Sequence, residues 1–201
     1  MKKEIFLSFR PEFFRPILYN IKKYEYRKRF CNEPTKAYLY LSAPVQEVIG
    51  IIELGKPLIT TDKINDYEKG TIIYNRINHC IEVGEKFAIP IESLQLFKNP
   101  ISIQKLKEID NNFNVPQCYL NIKNFSKIYE YLNCQEMYEK EFINSHSKLY
   151  EDNFCMTCKE MEETEEFEIK DSEYISNDKY DIIKAGYIMR RKKWKMYVIF
   201  W

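Results

Sequence analysis

The chain has 201 residues, 45% of them apolar and 15% aromatic, enough to bury a sizeable core built largely from Tyr and Phe. Lys plus Arg total 31 against 30 Asp plus Glu, so net charge gives no support for indiscriminate polyanion binding; five glycines without a Walker or dinucleotide pattern argue against a phosphate-cradling loop. The distribution is uneven: residues 1–36 hold ten basic and four acidic side chains, whereas 151–173 hold ten acidic and two basic.

The opening apolar run Ile5-Phe6-Leu7 is too short for a secretory signal, and no apolar stretch reaches the length of a membrane span. The expectation is a soluble, cytoplasmic protein without a cofactor. Its six irregularly spaced cysteines then read as reduced thiols.

Residues 4–9 form an apolar run that predicts a first strand, closed by Arg10-Pro11. Phe13, Phe14, Ile17 and Leu18 share one face of a short helix that starts near Pro11 and ends around Asn20, a residue tolerant of left-handed backbone. Alternation over 22–30 predicts a strand with Tyr24, Tyr26 and Phe30 on one face and Glu25, Arg27 and Arg29 on the other. Residues 36–42 and 45–54 read as two more strands of a meander. Over 62–81 the rhythm is mostly helical, with Asp62 as N-cap, Gly70 as a weak point and Gly84 as the stop.

A strand over 86–97 follows, in which Pro90 requires an edge or a bulge. Ser102 is placed to cap a helix carrying Ile103, Leu106 and Ile109. One or two helices are expected over 122–150, a solvated helix or mobile loop over the acidic 159–173, and strand character again over 186–201. In that last stretch Met189–Lys195 reads as a basic hairpin turn or a nucleic-acid edge, and Met196–Trp201 as a buried strand.

On the strand face at Glu25, Arg27 and Arg29, three charges sit two residues apart. Arginine forks match phosphates or base edges, neighbouring tyrosines offer stacking faces, and Lys22 and Lys23 add phosphate attraction, which suits single-stranded RNA or a flipped base. Simple pairing of Glu25 with the arginines on a solvated face is the alternative. Elsewhere, Cys155 and Cys158 form a CxxC that His146 and Cys134 would complete as a zinc site, set against chance placement of thiols. His79-Cys80 are neighbours about 100° apart on a helix and make a poor nucleophilic dyad.

The stretch Asn20-Ile21-Lys22-Lys23-Tyr24-Glu25-Tyr26-Arg27 resembles the G-x-K-x-x-(T/E)-x-R motif of the ASCH family, a branch of the PUA-like barrels, with Asn in place of Gly. FLSFRPEFFRPIL before it, YLYLSAPVQEVIGIIELGK and GEKFAIPIESLQLFKNPISIQKL after it, and VPQ at 115–117 follow in the family's order. The resemblance implies an α+β fold: a PUA-like (ASCH) mixed β-barrel over 1–120 with flanking helices, and a helical, acidic extension over 121–201 that packs on it and ends in a hairpin or strand. It also implies RNA, single-stranded nucleic acid or a modified nucleoside as ligand, with Ser42 and Gln117 joining Lys22, Lys23, Tyr24, Glu25, Arg27 and Arg29 in the binding set.

Two alternatives stand beside binding. The family's enzymatic branch removes an acetyl group from acetylated cytidine with a Lys and a Thr of the motif. Lys22 matches that Lys and Glu25 stands at the Thr position, so an N4-acetylcytidine-type amidohydrolase here would use Lys22 and Glu25 to polarise a water. The other alternative is a regulatory protein whose 159–173 segment, with eight acidic residues, engages a nucleic-acid-processing partner.

Overall fold

The computed structural model describes residues 2–176, so the expectations for 186–201 lie outside the described residues. Strand β1 (Lys3–Phe9) leads through a 3-10 turn at Pro11–Phe13 into α1 (Phe14–Leu18), then β2 (Tyr24–Arg27), β3 (Thr35–Leu41), β4 (Glu47–Leu54) and β5 (Leu58–Ile59). Next come α2 (Thr60–Lys63), α3 (Ile72–Glu82), β6 (Phe87–Ser102), α4 (Ile103–Ile109), β7 (Tyr119–Asn121), α5 (Ser126–Asn133), β8 (Met137–Ile143), α6 (Cys158–Glu162) and α7 (Glu165–Ser176). This is the expected α+β class.

The sheet runs β2-β6-β4-β3-β1-β7, with β5 and β8 also paired to β6. Among the described residues only β1 and β3 pair in parallel, so the sheet is mixed. It curls into a partly closed barrel, within which Arg27, at the end of β2, reaches across to β1: its Nη2 donates to the Ser8 carbonyl at 2.9 Å.

Strand alternation sorts the side chains into two layers. Ile5, Leu7 and Phe9 of β1, Ala37, Leu39 and Leu41 of β3, and Ile89, Ile91, Leu94 and Leu96 of β6 fill the barrel interior with Phe14, Ile17 and Leu18 of α1. Phe6, Tyr38, Tyr40, Val48 and Phe97 face outward beneath Leu106 of α4 and Ile128 and Leu132 of α5. Burying each such side chain contributes about 1.5–3 kcal/mol. Where β4 crosses β6, a Cβ on Gly50 would stand 2.2 Å from the Gln95 carbonyl oxygen, so the sheet closes there only around glycine.

Local signals hold at several joints. Asn20 adopts a φ of 60°, Gly84 ends α3 with a φ of 81°, and Ser102 Oγ accepts the Lys105 amide at the start of α4. Pro90 stands in register opposite Tyr24 of β2, and β6 shifts register against β4 just beyond it, between Ile91 and Ser93.

Four expectations need correction. The strand at 22–30 is confined to Tyr24–Arg27, because the ladder with β6 covers those residues, with one further bond from the Ile91 amide to the Lys23 carbonyl. The helix at 62–81 breaks: Gly70 turns with a φ of 90°, and α3 starts anew with Thr71, not Asp62, as N-cap. Of 122–150, only α5 is α-helical; 137–143 is strand β8, drawn onto the long β6, with Tyr138 and Phe142 packed on the core. The acidic 159–173 is helical, but Met161 and Phe167 are buried in the barrel core, so the segment is solvated only on its remaining side, where Ile169 is exposed among the acidic residues.

Candidate functional site

The motif strand presents two faces. Glu25 and Arg27 turn toward Lys22, which lies just before the strand in the turn that Asn20 opens. Glu25 Oε2 is 3.4 Å from Lys22 Nζ, and Glu25 Oε1 is 2.8 Å from Arg27 Nε in an ion pair too bent to be a hydrogen bond. Lys22 and Glu25 are 5% and 4% exposed. Two cations thus share one carboxylate away from water, an arrangement that favours an added anion or electron-rich group.

Aromatic faces frame this cluster. The Phe13 and Tyr26 ring centres lie 5.7 and 5.3 Å from Lys22 Nζ, and the Arg27 guanidinium sits 5.0 Å from the Phe9 ring. Arg27 also approaches Cys118 Sγ at 3.7 Å. Cys118 in turn approaches the Arg29 carbonyl, Ser8 Oγ donates to the Pro116 carbonyl, and the Ser42 amide donates to the Phe9 carbonyl. Through these contacts the segments of Arg27, Arg29, Ser42 and Gln117 converge about Ser8–Phe9. Arg29 and Gln117 are exposed there.

Lys23 and Tyr24 point elsewhere. Lys23 Nζ donates to Asn144 Oδ1 at 2.8 Å and lies over the Tyr150 ring, and burial lowers its pKa. Tyr24 packs edge-on against Phe154 and His146, and its hydroxyl accepts the Tyr150 amide. Tyr26 accepts the Cys155 amide at 2.6 Å. These aromatic residues are therefore posts for the segment 144–155, not open stacking platforms.

That segment continues over the cluster. Cys158 Sγ lies 4.0 Å from Lys22 Nζ, and burial pushes its thiol pKa up in spite of that ammonium, so it faces Lys22 as a neutral thiol. Beyond α6, Asp171 of α7 pairs with Arg15 of α1 and accepts the Tyr19 hydroxyl at 2.6 Å. The sequence reading named Phe13 only as a helix-face residue and Cys158 only as half of a CxxC, and it singled out neither Arg15 nor Asp171. Phe13 and Arg15 were visible only as parts of a short helix, and nothing local marks residues 158 and 171 as their neighbours.

The two cysteines of the CxxC diverge. Cys155 is buried against Cys80, whose thiol pKa is pushed far up by their hydrogen bond and by burial, whereas Cys158 faces Lys22. His146 Nε2 sits 3.0 Å from the Ile91 carbonyl and Cys134 is exposed. Among the described residues no group of three or more His, Cys, Asp or Glu is arranged to hold a metal, nor is any helix long and apolar enough to cross a membrane. His79 is exposed while Cys80 is buried, so those neighbours share no site.

No protein-family profile and no curated protein matches the chain. Among solved structures it is similar to an ASCH protein from Zymomonas mobilis, at 24% identity and a TM-score of 0.49 over 67% of this chain and 96% of that one. Two point mutants of the same protein are similar at 23% and 24% identity and a TM-score of 0.49, each over 67% of this chain and 100% and 98% of theirs.

Proposed function

We propose that the cleft between the Glu25–Arg27 face of β2 and residues 8–15 binds RNA or a modified nucleoside. The observation that carries this reading is the covered Lys22–Glu25–Arg27 cluster, with two cations to one carboxylate beside the rings of Phe9 and Phe13. Cations positioned among aromatic faces recognise a base and its sugar-phosphate together. Arg29, Gln117 and Ser42 form the rim over which a strand would pass, with Arg29 contacting phosphate. The order of motif blocks that resembles the ASCH family supports the same ligand class.

Arg29 is the clean probe, being exposed. In fluorescence anisotropy with a short single-stranded oligoribonucleotide, Arg29→Ala should weaken binding and flatten the log-log salt dependence by about 0.7 for one lost phosphate contact. An unchanged affinity and slope place the ligand elsewhere. A second reading, deacetylation of an acetylated cytidine, is favoured by the 3.4 Å approach of Lys22 to Glu25. It requires turnover of free N4-acetylcytidine that Lys22→Met abolishes.

A further inference from the structure

The segment that covers the cleft offers it a nucleotide-like face of its own. On α7, Phe167 and Asp171 are four residues apart and project from one side of the helix. The Phe167 ring packs edge-on against Tyr19 with centres 5.0 Å apart, and the Arg15 guanidinium lies 5.0 Å from the centre of the same ring. Asp171 pairs with Arg15 Nη2 and accepts the Tyr19 hydroxyl. An aromatic ring held by a tyrosine and a guanidinium, beside an anion held by that guanidinium and a hydroxyl, repeats the chemistry by which proteins hold a base and its phosphate.

We propose that α7 is an internal competitor: Phe167 and Asp171 occupy a base-and-phosphate subsite of the cleft formed by Arg15 and Tyr19, and single-stranded RNA must displace them to bind fully. The inference rests on the RNA-binding reading above and adds a subsite and its regulation. The covering segment is continuous, since α6 places Cys158 over Lys22 and α7 places Asp171 on Arg15. Loosening α7 therefore uncovers the Arg15 subsite beside the Lys22 cluster. The acidic face of α7, with Glu165, Glu166 and Glu168 in its first turn, adds repulsion toward RNA while the helix is docked.

The test is Asp171→Asn in the full chain, which keeps the shape of the side chain and an acceptor for Tyr19 but removes the charge held by Arg15. Affinity for the single-stranded oligoribonucleotide should rise about tenfold, a typical coupling between competing sites. Adding Arg15→Gln to Asp171→Asn should cancel the gain. Circular dichroism confirms folding, and Tyr19→Phe, which deletes only a hydroxyl, should show a smaller gain if Asp171→Asn does not fold. If the unsubstituted protein binds and Asp171→Asn binds no better, the competitor is refuted and the RNA-binding reading stands. If neither folded protein binds, the RNA-binding reading falls and takes the competitor with it.

Discussion

Replacing Arg27 with Ala should unfasten the barrel. Its guanidinium bridges strands distant in sequence: Nη2 donates to the Ser8 carbonyl of β1, Nη1 approaches Cys118 just before β7, and Nε pairs with Glu25 on its own strand. A hydrogen bond from a charged donor contributes about 1.5–3 kcal/mol. Removing one partner of a buried ion pair costs about 3–5 kcal/mol when the other is left unpaired. Glu25 keeps Lys22 at 3.4 Å, and the Arg27 side chain is 16% exposed, so the upper figure is not reached. The expected loss is about 3 kcal/mol. For a chain of this size that lowers the melting temperature by about 6–12 °C in calorimetry. Arg29→Ala is the matched control, exposed and expected to stay within about 0.5 kcal/mol of the unsubstituted protein. Arg27→Lys should recover only part of the loss, because an ammonium lacks the planar fork that reaches Ser8 and Glu25 at once. An Arg27→Ala protein melting within about 2 °C of the original would refute the clasp.

Met161, fully buried against the barrel core, should cost about 2–5 kcal/mol on truncation to Ala, measured by urea unfolding; a loss below about 1 kcal/mol would mean that α6 only rests on the surface. Burial pushes the Glu160 carboxyl up, but its bonds with the Thr157 amide and hydroxyl cap and with Arg76 outweigh this and hold it below the ordinary 4.5. The unfolded chain therefore takes up this proton at higher pH than the folded one, so the stabilisation is present above about 4.5 and is lost as pH falls through the folded value. The gap in melting temperature between the unsubstituted protein and Glu160→Gln should close over that range; a gap unaffected by pH would show that the charge of Glu160 contributes nothing.

The barrel strands were legible because they are buried on both faces or alternate strictly: the apolar runs over 4–9, 36–42 and 45–54 correspond to β1, β3 and β4. Single residues also served well where one backbone geometry decides the outcome, as at Asn20, Gly84 and Ser102. Strand β8 was not legible, since MYEKEFI mixes two glutamates and a lysine with its apolar residues and becomes a strand only because β6 offers it an edge. The site divides in the same way. Alternation correctly put Glu25 and Arg27 on one face, but the residues that cover their neighbours, Cys158 on Lys22, Asn144 on Lys23 and Tyr150 on Tyr24, are more than a hundred positions away, and no local pattern assigns them there. A pattern of period two tells which residues share a face, not what will cover that face.

The parallel pairing of β1 with β3 governs where this chain can vary. Two neighbouring strands running the same way must be joined by a crossover, and here the crossover is the stretch from Arg10 to Pro34 that carries Phe13, Arg15, Lys22, Glu25 and Arg27. Both of its ends are fixed in adjacent strands, and β2 within it is held in register on β6. Lengthening this stretch by a residue or two would slide the charged cluster past Ser8 and Phe13 and dismantle the cleft. Among the described residues, those from 145 onward meet no such constraint, because they reach the barrel through side chains and through amides held by the hydroxyls of Tyr24 and Tyr26. Additions there can reshape the cover of the cleft while its floor keeps the same spacing.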